Sequence, residues 1–347
     1  MAQKTFFGLL GMLGVVFLLE LIFRVLPVST STETGYYTDP LILTYPPHHR
    51  WTTATGWDLR NAQPLLSNNF GYVASRDFEK NNFAVALVGD SFVEASMLAA
   101  ADRPGAQLER ALNSRPVYSM GAPGTSLLDY AERIRFSHEH LDIRDFVILM
   151  ERGDIKQSLC GSGNINGPCL DPKTLKPRVE TLPAASDAKK IIRQSALAQY
   201  LFSQLNLRPE KLWGQLFRSA HPVESTPPAT SPTESQTTPA AVNTDLDAVT
   251  NSFFARVKPH ILGRLVIVID SDRSALYQNK VSADPARTRF ILLARAAGAA
   301  VIDTEPLFQA HLAQSSLKLD VGPYDGHLNA LGVKLIAQAA ADALNRK

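Results

Sequence analysis

The sequence predicts an α/β protein whose parallel sheet is covered by helices on both faces, behind an apolar N-terminal helix. Three observations carry this prediction. Short apolar runs alternate with helical patterns through residues 83–150 and again through 246–345, a long stretch without alternation separates these two series, and residues 6–19 are almost uninterruptedly apolar. Repeated β/α alternation is the pattern of a parallel sheet with a helical layer on each side. The 347 residues allow about two domains. A formal charge of +2 is too close to neutral to imply a nucleic-acid partner.

At the N-terminus, Lys4 precedes the apolar stretch 6–19, which continues after Glu20 through 21–23 and closes with Arg24 and Pro27. That length is near the minimum of about 17–20 residues for a membrane-spanning helix. A cleaved secretory signal and a retained signal anchor both fit. Glu20, Arg24 and the lack of an Ala-x-Ala site favour the anchor, with Lys4 in the cytoplasm and the remainder exported, into the periplasm of a bacterium. Glu20 and Arg24 lie one helical turn apart and can pair at the interface. Apolar residues on every side of this helix argue against a buried amphipathic core helix.

Residues 28–82 are rich in Tyr, Pro, Thr and Asn without a sustained period, and read as an irregular stalk. The alternation then begins: strand 83–88, helix 105–112, strand 117–120, helix 127–140 and strand 146–150. Residues 155–245 form an insertion with a Gly/Asn-rich loop between Cys160 and Cys169, a helical stretch at 188–205 and a Pro/Thr/Ser tract at 224–239. The tract is too polar and proline-rich to bury itself and is expected to be disordered. The stretch 191–205 carries an apolar face expected to pack on protein, with membrane contact as the alternative. Alternation resumes with helix 246–257, strand 265–269, helix 285–297, strand 300–302 and helix 330–345. The organisation is therefore an anchor at 1–27, a stalk at 28–82, one α/β domain split between 83–154 and 246–347, and the insertion at 155–245. Cys160 and Cys169 are the only cysteines, and in an exported chain they are expected to form a disulfide.

Two patches carry chemistry. Ser91 ends the run FAVALVGDS, where a parallel strand turns into a helix at the rim that binds ligands in open α/β sheets. A helix beginning near Phe92 would turn N–H groups toward a developing oxyanion. On its own, Asp90-Ser91 reads as a helix cap rather than a reactive site. Near the C-terminus, DGHLNALG supplies His327 with Asp325 two residues before it, on the same face of an extended segment. Asn329 reads as the N-cap of the last helix. Nucleophile, base and orienting acid are the minimum for serine hydrolase chemistry.

These residues resemble the SGNH (GDSL-type) hydrolases, whose fold is a flavodoxin-like three-layer α/β/α sandwich. VALVGDSF is similar to the first block of that family, SMGAPGTS to the second and DGHLNALG to the last, over residues 83–154 and roughly 250 to the C-terminus. The resemblance implies Ser91 as nucleophile, His327 as general base and Asp325 as its partner, with a backbone N–H of Gly124, or of Gly121, in the oxyanion hole. It implies no metal and no dissociable cofactor. The third block normally carries Asn, and here Met150-Glu151-Arg152-Gly153-Asp154 puts Gly153 in that place. The Arg152 side chain or the Gly153 N–H would have to substitute. Loss of a side-chain donor there costs about 2.7–4 kcal/mol of transition-state stabilisation. Asp-x-His in place of Asp-x-x-His looks like SGNH-type proteins that O-acetylate exported polysaccharides such as alginate. The resemblance thus implies an esterase or acyltransferase acting on acylated carbohydrate. The alternative is a non-catalytic envelope protein that uses the scaffold to bind glycan or envelope protein partners.

Asp270 and Asp272 in VIVIDSDRS loosely resemble the Asp-x-Asp of haloacid-dehalogenase-like phosphatases, but Ser274 stands where Thr or Val is expected. His48 with His49, and His138 with His140, lack a carboxylate or cysteine frame for zinc and read as solvated.

Overall fold

Successive side chains of a strand point to opposite faces, so runs apolar on both faces suit a sheet covered on each side. The computed structural model describes residues 2–30, 33–162, 166–182, 186–205, 207, 239–280 and 283–346. In chain order its strands are β1 (Gly35–Asp39), β2 (Ile42–Thr44), β3 (Arg50–Thr55), β4 (Arg60–Leu66), β5 (Val85–Gly89), β6 (Val117–Gly121), β7 (Asp145–Met150), β8 (Pro168–Leu170), β9 (Pro177–Val179), β10 (Leu265–Ile269) and β11 (Ala300–Asp303). Five of them form one parallel sheet in the order β6-β5-β7-β10-β11. Numbered by sequence within the sheet this is 2-1-3-4-5, the flavodoxin-like doubly wound order.

The register explains the two layers of helix. Ala86, Val88, Ile148 and Ile267 face one core with the helices Leu127–Leu141, Pro239–Val257 and Pro285–Ala296. Their neighbours Val85, Leu87, Val147 and Val268 face a second core with Pro104–Ala111, Thr304–Leu312 and Ala330–Asn345. Each fully buried aliphatic side chain contributes about 1.5–3 kcal/mol. The topology reverses at β5 and β7, so the ligand-binding crevice of such a sheet opens beyond their carboxyl ends.

The chain divides into two units. The larger comprises Glu33–Arg50, Leu65–Pro183 and Pro239–Lys347 and holds the parallel sheet; the smaller comprises Met1–Thr32, Trp51–Pro64 and Ala184–Thr238. The smaller contains the apolar helix Ala2–Val25, whose segment Gln3–Val25 is long and apolar enough to span a bilayer.

Several elements depart from the sequence expectation. Residues 28–82 are not irregular throughout, because they carry β1 to β4. Ile42, Leu43 and Thr44 are all buried, which erases the alternation that would have announced β2. The helix Thr304–Leu312 was not anticipated; Asp303 caps it through the Glu305 N–H (2.8 Å). The expected helix at 188–205 is broken into Asp187–Ile192, Ala196–Ala198 and a wider turn at Gln199–Gln204, since Ser195 turns its side chain back to the Ala198 N–H (3.1 Å). Cys160 and Cys169 are joined as a disulfide beside the antiparallel β8–β9 pair. The tract at 224–239 lies, up to residue 238, outside the described residues.

Candidate active site

Ser91 begins the short helix Ser91–Glu94 immediately after β5, and Asp90 caps it by accepting the Phe92 N–H (2.8 Å). Both readings of GDS therefore hold together: Asp90 is the cap, and Ser91 stands at the carboxyl edge of the sheet. Two glycines allow the turn. A Cβ on Gly89 would lie 2.4 Å from the Leu149 carbonyl oxygen of β7, and one on Gly121 would lie 2.3 Å from the Glu94 nitrogen, so only glycine lets the neighbouring strands press against this turn.

The Asp-x-His segment comes to Ser91 across 236 positions of sequence. His327 Nε2 lies 2.8 Å from Ser91 Oγ. Its Nδ1 lies 2.6 Å from Asp325 Oδ1, and the His327 main-chain N–H donates to the same oxygen (2.9 Å). An ionised carboxylate only accepts, so the proton of the neutral ring sits on Nδ1 and Nε2 is left to accept the Ser91 hydroxyl proton. Burial opposes charging the imidazole, but the Asp325 hydrogen bond and charge, with the charge of Asp90, outweigh it and raise the His327 pKa above 6.5. Burial likewise acts to raise the Asp325 pKa, but its bonds to His327 hold it below the ordinary value. The Phe92 ring packs on the imidazole, 4.7 Å between centroids.

The second and third blocks flank this pair. Because Gly89 registers with Gly121 and with Leu149, the loop after β6 and the turn after β7 lie on either side of Ser91. Gly124 sits in the first of these at φ 71°. Among the described residues no acceptor takes the N–H of Gly124 or of Ser91. The third-block groups have other partners: the Gly153 N–H donates to Glu151 Oε2 (2.5 Å), and Arg152 pairs with Asp272 Oδ2 (2.7 Å). Asp154 is fully buried, accepts the Tyr130 hydroxyl (2.9 Å) and the Glu151 N–H (2.9 Å), and burial raises its pKa well above the ordinary carboxylate value.

No family model and no curated protein matches this chain. Among solved structures the chain is similar to an α/β hydrolase enzyme from the metagenome of Lake Arreo, Spain, at 16% identity and TM-score 0.36, over 78% of this chain and 99% of that one. It is similar to an acetylxylan esterase of Geobacillus stearothermophilus at 12% identity and TM-score 0.42, over 77% of this chain and 96% of the other. A member of the lipolytic G-D-S-L family from Veillonella parvula stands at 11% identity and TM-score 0.40, over 76% and 99%. Each is a distant likeness.

Sequence reasoning missed the residues that hold the site. Arg273 is buried and bonds both oxygens of Asp270 (2.9 and 2.8 Å), Asp320 Oδ1 (2.6 Å) and the carbonyl of Gly326, between Asp325 and His327. Its guanidinium also lies 5.7 Å from the centre of the Phe92 ring. Arg133, fully buried, donates to the carbonyls of Gly89 (2.6 Å) and Met120 (3.0 Å) and so ties the ends of β5 and β6. Neither carries a sequence signal of its own: Arg273 stands in Asp-Ser-Asp-Arg-Ser and Arg133 in Glu-Arg-Ile-Arg, like surface arginines. Asp270 and Asp272 do not form a paired phosphoryl site: Asp270 is spent on Arg273, while Asp272 caps a helix through the Ala275 N–H (3.1 Å) and binds Arg152. Asn329 caps the last helix through the N–H groups of Leu331 and Gly332 (3.0 Å each), as its position suggested. Among the described residues one group has metal-ligand proximity, Cys160, Cys169 and Glu180, and its two sulfurs are bonded to each other.

Proposed function

We propose that this chain is a membrane-anchored, exported SGNH-type serine esterase or O-acyltransferase acting on acyl, chiefly O-acetyl, esters of envelope or exported glycans. The observation that carries the reading is the unbroken chain of short contacts from Asp325 through His327 to Ser91. In the reaction Ser91 Oγ attacks the ester carbonyl as its proton passes to His327 Nε2. Asp325 holds the ring in the required tautomer and stabilises the imidazolium. The unengaged N–H groups of Ser91 and Gly124 receive the oxyanion. His327 then returns the proton to the departing alkoxide, and water or a sugar hydroxyl, deprotonated by the same imidazole, releases the acyl group from Ser91. Gly153 and Arg152 would join the oxyanion hole only by giving up Glu151 and Asp272. The glycan substrate class rests on the Asp-x-His resemblance.

The purified protein is expected to react with a fluorophosphonate probe and to release acetate from acetylated glycans, and Ser91→Ala is expected to reduce both to background. Equal acetate release by the two proteins rejects Ser91 as the nucleophile. A wild-type protein that stays unlabelled while a control esterase reacts favours the non-catalytic scaffold.

A further inference from the structure

The smaller unit holds an arrangement that the proposed chemistry does not use. Glu20 lies in the apolar helix Ala2–Val25, five residues before its end. A carboxylate there is costly in a membrane unless donors reach it. Three do. The Ser195 hydroxyl donates to it (2.7 Å), and so do the N–H groups of Ala196 (3.0 Å) and Leu197 (3.0 Å), so the side chain of the anchor helix receives the first free N–H groups of a turn from the insertion. Arg24, paired with Glu20 (2.8 Å), donates to the Gln194 carbonyl (3.3 Å). Phe23 stacks on Tyr200 with ring centroids 4.3 Å apart.

The same insertion segment fixes the β3–β4 turn. Tyr200 Oη donates to the Trp57 carbonyl (2.8 Å), and the Gln204 amide donates to the carbonyls of Ala54 (2.9 Å) and Gly56 (2.8 Å). Ser29, just beyond the anchor, exchanges two hydrogen bonds with Ala54 (2.8 and 2.9 Å). Trp57 is 65% exposed at this turn, and Ile192 and Phe202 are exposed on the docked segment.

Depth follows from helix geometry. With about 1.5 Å of rise per residue, Glu20 lies about 7.5 Å inside the Val25 end. Groups bonded to Glu20, Phe23 and Arg24 therefore sit in the layer where headgroups meet acyl chains, the layer that favours tryptophan and tyrosine. We infer that residues 192–204 and the Trp57 turn form a foot that lies in the membrane interface around the exit of the anchor helix, with a phospholipid surface as its partner. The segment 192–204 thereby takes the membrane contact that the sequence left as the alternative for 191–205. The inference rests on the anchor reading and is independent of the catalytic one.

The test uses the full chain in phosphatidylcholine vesicles whose acyl chains are brominated near the headgroup. A protein with Trp51→Phe and Trp213→Phe retains Trp57 as its sole tryptophan, and a control with Phe17→Trp and all three native tryptophans replaced by Phe reports anchor insertion. Trp57 is expected to shift its emission to the blue and lose most of its intensity in brominated vesicles. If the Phe17→Trp control is quenched and Trp57 is not, the foot is rejected; if neither is quenched, the anchor reading fails and the foot with it. Glu20→Ala is expected to speed amide exchange at 196–204 while the Phe17→Trp control stays quenched. Unchanged exchange overturns the role of Glu20.

Discussion

At the residue scale the site depends on which way His327 holds its proton. Burial and Arg273 lower its pKa, whereas Asp325 and Asp90 raise it and prevail; Glu94, the buried last residue of the short helix, also feels its charge. The proposed base works as the neutral ring and its pKa is raised from 6.5, so kcat/KM is expected to fall tenfold per pH unit on the acid side of a midpoint above 6.5. Asp325→Asn removes the main raising contribution, so the midpoint should move down while kcat drops by roughly 10⁴. A pH–rate profile of both proteins checks this, and an unmoved midpoint would remove Asp325 from the role. Ser91, His327 and Asp325 were legible in the sequence because glycine-flanked turns and a short Asp-x-His spacing leave a local trace. Their bonding was not legible, since 236 positions separate serine from imidazole.

At the element scale Arg273 joins three loop segments: Asp270 just after β10, Asp320, and the Asp325–His327 turn. Taking one partner from a buried ion pair costs about 3–5 kcal/mol because the other charge is left unpaired. Arg273→Gln is expected to destabilise the protein by that order in denaturant unfolding. A further effect separates positioning from mere stability: the acid limb of the rate profile should move to higher pH, because the positive charge that lowers the His327 pKa is gone. A variant that loses stability with an unaltered profile makes Arg273 structural only. The strands and helices of the sheet were readable from periodicity, and β10 has the predicted bounds. What escaped were elements too short or too evenly buried for a period, such as β2, and the helix Thr304–Leu312, whose Pro306 in the first turn hides it.

At the scale of the whole molecule, the larger unit buries an unusual number of carboxyl groups. Burial pushes Asp90 and Asp270 up to about 6 and Glu94 and Asp129 up to about 7. Each folded pKa is raised, so each contribution to stability is complete below the unfolded value, near 4, and is lost as pH rises through 6 to 7. Tm is therefore expected to decline from pH 5 to pH 8. Asp129 is fully buried, and its Oδ1 lacks a partner among the described residues. Asp129→Asn should flatten that decline, since it removes pH-dependent stability on the order of a few kcal/mol, and an unchanged Tm profile would clear this carboxyl of the effect. No sequence pattern announced these groups, because burial of an acid is decided by the assembled fold. The order 2-1-3-4-5 has one more consequence, in time rather than space. Ser91, the proposed nucleophile, follows the first strand of the sheet, and His327, its proposed base, lies in the segment leading into the last helix. During synthesis from the N-terminus the serine emerges long before the histidine exists, so a nascent or truncated chain carries an unactivated hydroxyl, and the site is completed only as the final helix docks.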